Sequence, residues 1–228
     1  MTTYSLRTLK HRFYERSVRR QRQFQVTLGC LAVAVNLMLG GMLFWLGISF
    51  IPLVFVSLAL TLSVVAPFFD VPALVRKGQL TYQSTLFLSE TPRRGVVVVH
   101  GGTLFDYYFV LDRRQTGAQR TQVVLAEYLK GLLQLAVTHP DDTRLRGTSY
   151  VLNERTARKV GLKRVNTDPI QYLILMYNFC NLWVSNYLVK GKWVLPKLSA
   201  IHTYEGTVRD IADRRAYIAA LLEQLTSP

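Results

Sequence analysis

The sequence predicts a membrane α-helical hairpin (two transmembrane helices) joined to a cytosolic α/β (α+β) domain with a mostly antiparallel sheet. Three observations predict it. Val26 to Phe69 runs for forty-four residues without Asp, Glu, Lys, Arg or His. Roughly 20 apolar residues cross the hydrocarbon core, so this run is long enough for two crossings and too long for one. Basic residues flank it on both sides, and from residue 80 onward short β-rich segments alternate with turn residues and amphipathic helices.

Residues 1–25 form a basic N-terminal arm. Residues 1–24 hold Arg7, Lys10, Arg12, Arg16, Arg19, Arg20 and Arg22 against Glu15 alone, a net of +6. Leu6, Leu9, Phe13 and Val18 fall on one side of a helix, so residues 4–24 read as a basic amphipathic helix on the membrane surface, with a disordered tail as the alternative. Residues 26–70 are the hairpin, with a first helix over Val26–Leu46 and a second over Pro52–Phe69. Gly47 and Pro52 punctuate the turn, and Trp45 and Phe50 lie where the chain meets an interface. Lys and Arg accumulate on the cytoplasmic side, which puts both termini there, in a bacterial inner membrane. A secretory signal peptide is excluded, because its apolar region spans only about 7–15 residues. Asn36, Gly40-Gly41, Ser57, Thr61 and Ser63 suit close helix packing. The absence of an ionisable group in the span excludes a channel or transporter built from this chain alone.

Residues 71–79 read as a linker, and residues 80–228 as the cytosolic domain. Leu80–Glu90 alternates like a strand, residues 91–95 form a turn, and Val96–His100 is a β-branched strand. Gly101-Gly102 reads as a hairpin turn before a third strand, Leu104–Leu111. Thr121–Val137 is an amphipathic helix, Gly147–Leu152 a fourth strand, and Leu162–Val165 a fifth. Asn153 N-caps a short helix, Glu154–Val160, that ends at Gly161. A long aromatic helix over 169–189 opens with Asp168-Pro169. Ile170–Val189 carries no charge, so a third crossing competes with a surface helix. Gln171, Asn178, Asn181 and Ser185 on one face favour the surface helix, which also suits a membrane protein partner. Residues 207–225 form a C-terminal amphipathic helix.

The formal net charge is +14 over 228 residues. No reading motif accompanies it, so nucleic-acid binding is not expected. A basic arm beside a membrane helix is instead drawn to anionic lipids, here through residues 7–22, at about 1 kcal/mol per Lys or Arg near the surface. Cys30 and Cys180 make neither a disulfide framework nor a metal spacing, and no metal is expected.

The order of strands and helices over residues 80–165 resembles the core of the GNAT acetyltransferase family. Phe109-Val110-Leu111 precedes Arg114-Gln115-Thr116-Gly117-Ala118-Gln119. That stretch is similar to the family pattern Gln/Arg-x-x-Gly-x-Gly/Ala at Arg114 and Gly117 and departs from it at Gln119. The run from Asn153 to Leu162 resembles the family's Asn-led helix, with Leu162 in place of Phe. The resemblance implies acetyl-CoA or acyl-CoA as cofactor. Its pyrophosphate would be held by backbone N–H groups at a helix N-terminus, near Arg114, Gly117, Ala118 and Asn153. In such chemistry an amine attacks the thioester, a base takes the ammonium proton and an acid protonates the thiolate. Glu127 and Tyr150 are candidates by residue type only. The function expected on this basis is CoA-dependent acyl transfer at the membrane surface. The alternative is a non-catalytic accessory or scaffold subunit that docks a membrane protein complex.

Val96-Val97-Val98-Val99-His100-Gly101-Gly102 also resembles the strand-to-oxyanion turn of α/β-hydrolase esterases. Gly147-Thr148-Ser149-Tyr150-Val151 has Val where the nucleophile elbow needs its last Gly. A triad of Ser149, His202 and Asp210 competes here with a plain glycine turn after a strand-end histidine.

Overall fold

The computed structural model describes residues 10–47, 51–149, 152–197 and 201–227. Helix α1, Val18–Trp45, is long and apolar enough to cross a membrane. Helix α2, Ile51–Val65, is shorter. It meets the length-and-composition requirement only together with α3, Pro67–Arg76, from which it bends by 46°. The bend falls where Pro67 enters at the first position of α3, which has no amide to donate. Asn36 ties α1 to α2. Its amide donates to Thr61 Oγ1 at 3.1 Å, and its carbonyl oxygen accepts from Ser57 Oγ at 2.9 Å. At the other end Gln25 donates to the Phe68 carbonyl at 2.8 Å.

The stretch read as a linker is the second half of α3 and the turn after it, and Phe68 and Val71 of that helix are buried. The arm also differs from a surface helix. Residues 11–16 form turns, and Phe13 is fully buried in an aromatic cluster with Phe24, Phe105 and Phe109. Arg12 donates to the carbonyls of Tyr108, Phe109 and Leu111, which are the open C-terminal acceptors of a short helix. The part of the expected amphipathic helix at residues 4–9 lies outside the described residues.

The domain is α+β, built on a mixed six-stranded sheet of order β1-β2-β3-β4-β6-β5. The run Leu80–Glu90 is a hairpin of two strands, β1 (Leu80–Ser84) and β2 (Phe87–Glu90), paired antiparallel. Strand β3 is Val96–Gly101, entered through Arg94 and Gly95 in the left-handed region at φ 52° and 74°. The expected third strand of a meander is instead helix α4, Leu104–Val110. Its aromatic composition suits a strand, but Thr103 and Asp106 decide otherwise. The Thr103 amide and hydroxyl both donate to Asp106 Oδ2, at 2.7 and 2.8 Å, and this closes a helix N-terminus.

Helix α5 runs Gly117–Thr138, one turn earlier than its apolar periodicity suggests, because Thr116 and Gln119 form a second capping box. Strand β4, Arg144–Ser149, lies parallel to β3, and the remaining described ladders are antiparallel. Helix α6 (Glu154–Lys159) and strand β5 (Lys163–Val165) follow. The long aromatic helix is broken at Asn178 into α7 (Pro169–Tyr177) and α8 (Phe179–Lys190). Strand β6, His202–Thr207, was not legible as a strand, and the C-terminal helix divides into α9 (Val208–Ala212) and α10 (Arg215–Thr226). One core joins α5, α9 and α10 to the sheet through residues such as Val97, Leu135, Leu145, Tyr204 and Ile218. A second joins the arm, α3 and α4 through Phe13, Phe68, Leu88 and Phe105.

Candidate functional site

The parallel pair β3/β4 is where the domain opens. Their pairing ends at Val99↔Gly147. Beyond that rung β3 stays paired with β2 through Gly101↔Phe87, and β4 stays paired with β6 through Ser149↔His202. Two strands held on their outer sides and released on their inner ones part from each other. Ligands of parallel α/β sheets bind beyond the carboxyl ends of strands that diverge in this way. Glycine makes the close approach beneath the fork. A Cβ on Gly147 would come within 2.7 Å of Val99 Cγ2, and one on Gly101 would overlap the Tyr128 ring of α5.

A cleft of about 540 Å³ lies at the fork, between the ends of β3 and β4 on one side and α2, α3, α7 and α8 on the other. Its polar groups include Asp70, His100, Thr103, Tyr128, Asn178 and Asn181. Tyr128 is partly buried, and its hydroxyl lies 3.1 Å from that of Tyr107. Burial pushes the Tyr128 phenol up, so it stays neutral and can donate a hydrogen bond. On the helix side Asn181 donates to the Ser63 carbonyl at 3.1 Å, and Ser185 donates to Asn181 at 3.3 Å. The polar stripe of the aromatic helix therefore faces protein at Asn181 and Ser185, both buried, rather than water.

The structure scatters the residues singled out by the sequence. Arg114 is exposed in the turn before α5, its amide donating to Asp112 Oδ1 at 2.9 Å. Gly117 packs so closely on the C-terminus of α8 that a Cβ would overlap the Lys190 carbonyl, and Ala118 beside it is exposed. Asn153 caps α6 by accepting from the Thr156 amide at 2.8 Å. Glu127 is buried with both oxygens engaged: Lys130 Nζ lies 2.8 Å from Oε1, and the Thr85 amide donates to Oε2 at 2.9 Å. That pairing fastens the β1–β2 turn to α5. Tyr150 lies outside the described residues.

Ser149 and His202 are register neighbours. Asp210 sits past the other end of β6 and accepts from the Thr207 amide and hydroxyl at 2.8 and 2.7 Å, so the three do not form a triad. His100 pairs with Glu90 at 2.8 Å on the surface. Among the described residues no group of three His, Cys, Asp or Glu is placed to hold a metal ion.

Sequence reasoning did not single out Tyr128 or Thr103, and it gave Ser63 and Asn181 to helix packing and a surface stripe rather than to a cleft. Gly101-Gly102 after a β-branched strand was the available signal, and it marks a strand exit rather than a hairpin. Comparison with known protein families, curated proteins and solved structures finds no match.

Proposed function

We propose that the protein is anchored in a bacterial inner membrane by two crossings, α1 and the bent α2–α3 pair, with both termini and the α+β domain in the cytoplasm. In this reading the domain carries out CoA-dependent acyl transfer at the membrane surface, in the cleft at the ends of β3 and β4. The observation that carries it is the fork after Val99 and Gly147, which opens onto a cleft walled by the membrane-proximal helices. The succession β3, α4, α5, β4, Asn153-led α6 around a single described parallel pair supports the resemblance to the GNAT order, with α4 where a strand was expected.

The substrate amine would attack the thioester carbonyl to form the C–N bond, the C–S bond would break, the thiolate would take a proton and the attacking nitrogen would lose one, leaving an amide and the free thiol. Tyr128, kept neutral by burial, donates to the oxyanion that develops on the carbonyl. The proposal gives Glu127 no part, since both its oxygens are engaged. The capping box of Thr116 and the Lys190 carbonyl already occupy the start of α5, so that helix N-terminus would not hold the cofactor's pyrophosphate, and the cleft would take its acyl end.

Acetyl-CoA or a longer acyl-CoA at a hundredfold excess over Kd should add about 2.7 kcal/mol and raise the melting temperature of the solubilised protein by roughly 5–10 °C. Tyr128→Phe should keep that shift and lose turnover. No shift with any acyl-CoA at millimolar concentration would sink the enzyme reading and leave the second one. In that one the domain is a scaffold that docks a membrane protein. The observation favouring it is α7, which buries no residue and leaves Ile170, Leu173 and Met176 more than 60 % exposed beside α2.

A further inference from the structure

Behind the cleft lies a second space of about 360 Å³, between the face of the sheet that carries Val99, Leu145 and Gly147 and the inner sides of α5, α6 and α10. Gly101, Tyr128, Thr148 and Ser149 line both spaces, so the two meet at these residues. They differ in chemistry. The cleft mixes amides, hydroxyls and a carboxylate with apolar side chains such as Val71 and Leu182, whereas the inner chamber is walled mainly by apolar side chains, among them Leu125, Leu129 and Leu132 of α5 and Leu221 and Leu225 of α10. Protein interiors pack to crystal density and leave few voids larger than a water. An apolar space of this size lacks the partners that hold ordered water, and it falls in the range of built ligand sites.

A second observation points the same way. Ser63 Oγ, on the cleft side, is buried and has no hydrogen-bond partner among the described residues. A buried hydroxyl without a partner is costly unless a ligand supplies one. A cleft that carries polar groups and an unmatched hydroxyl, beside α2 and α3 and backed by a more apolar chamber, has the shape of an amphiphile. Leu125 to Leu132 span roughly 10 Å of α5, the depth available to a chain.

We infer that the inner chamber holds the unbranched acyl chain of an amphiphile whose polar head lies in the cleft, so that the protein selects medium- to long-chain acyl groups over acetyl. The substrate class named here rests on the acyl-transfer reading, while occupancy of the chamber does not. The chain arrives either as an acyl thioester or as a lipid from the bilayer.

The test uses the full-length protein in phospholipid nanodiscs with a diazirine-bearing lauric acid, followed by peptide mapping of the photolabel. Label is expected in residues 125–132 and 217–225, and excess lauroyl-CoA or lauroyl lysophospholipid should displace it. Displacement by the thioester alone identifies the thioester source, and displacement by the lysophospholipid alone identifies the lipid source. Each two-carbon shortening of an acyl-CoA competitor should weaken it by about tenfold. Leu221→Trp, which fills the chamber, should cut that label by about tenfold while label on α1 stays constant. Label confined to residues 18–65 and 170–177 in the wild-type protein, or label that neither competitor displaces, would overturn the proposal without recourse to any variant. Chamber label that persists while no acyl-CoA competes or shifts the melting temperature would remove the acyl-transfer reading and leave the chamber standing.

Discussion

At the scale of single residues, buried carboxylates act here as clamps. Asp106 is fully buried and accepts from Tyr82 at 2.5 Å, and His11 Nε2 lies 3.2 Å from the same oxygen. Its other oxygen takes both donors of Thr103. One side chain thus joins the arm, β1 and α4. Burial and the neighbouring Asp106 push the Tyr82 phenol up, and burial raises Tyr14 to about 12, so both stay neutral through the physiological range. Asp210 shows the opposite direction. Hydrogen bonds from the Thr207 hydroxyl and amide lower its carboxyl below the ordinary 3.8. A folded-state value below the unfolded one contributes stability that is present above pH 3.8 and lost as pH falls through the folded value. Asp210→Ala should therefore lower stability at neutral pH, through loss of the capping-box partner of Thr207. The gap from wild type should narrow below pH 3.8, as read from urea melts across pH. A gap independent of pH would show that charge has no share in the cap. The His11 and Tyr82 partners of Asp106 are not legible in sequence, because they lie 95 and 24 positions from it.

At the scale of elements, capping chemistry overrode composition. Leu104–Val110 has the aromatics of a strand, yet Thr103 and Asp106 make it a helix, and a third strand becomes the lead-in to a parallel crossover. The Thr-x-x-Asp spacing was readable in the chain, but the β-forming side chains outweighed it. Strand β6 was missed for another reason. His202–Thr207 carries few β-branched residues at its centre and is a strand because β4 and β5 pair with it on both sides. Between α1 and α2, Asn36 supplies the polar link through Thr61 and Ser57. Asn36→Leu should cost about 1–2 kcal/mol and lower the thermal midpoint in detergent. An unchanged midpoint would mean that apolar packing alone holds the pair.

At the scale of the whole molecule, the domain is fastened to its anchor rather than tethered. The arm, α3 and α4 share one aromatic core, and the cleft lies on the same junction. The proposed orientation predicts that protease added outside spheroplasts leaves residues 71–227 intact, whereas protease admitted to the cytoplasmic side digests the exposed turns. Cleavage of the domain from outside would invert the topology. The apolar helix, the basic flank, the α+β class and the caps at Asn153 and Asp168 were readable from the chain alone, because each depends on residues close to one another in the chain. Burial of Phe13, the fork after Val99 and Gly147 and the chamber behind Tyr128 come only from the tertiary structure. Each depends on surfaces from segments tens of residues apart, and no local pattern records which of those surfaces will meet.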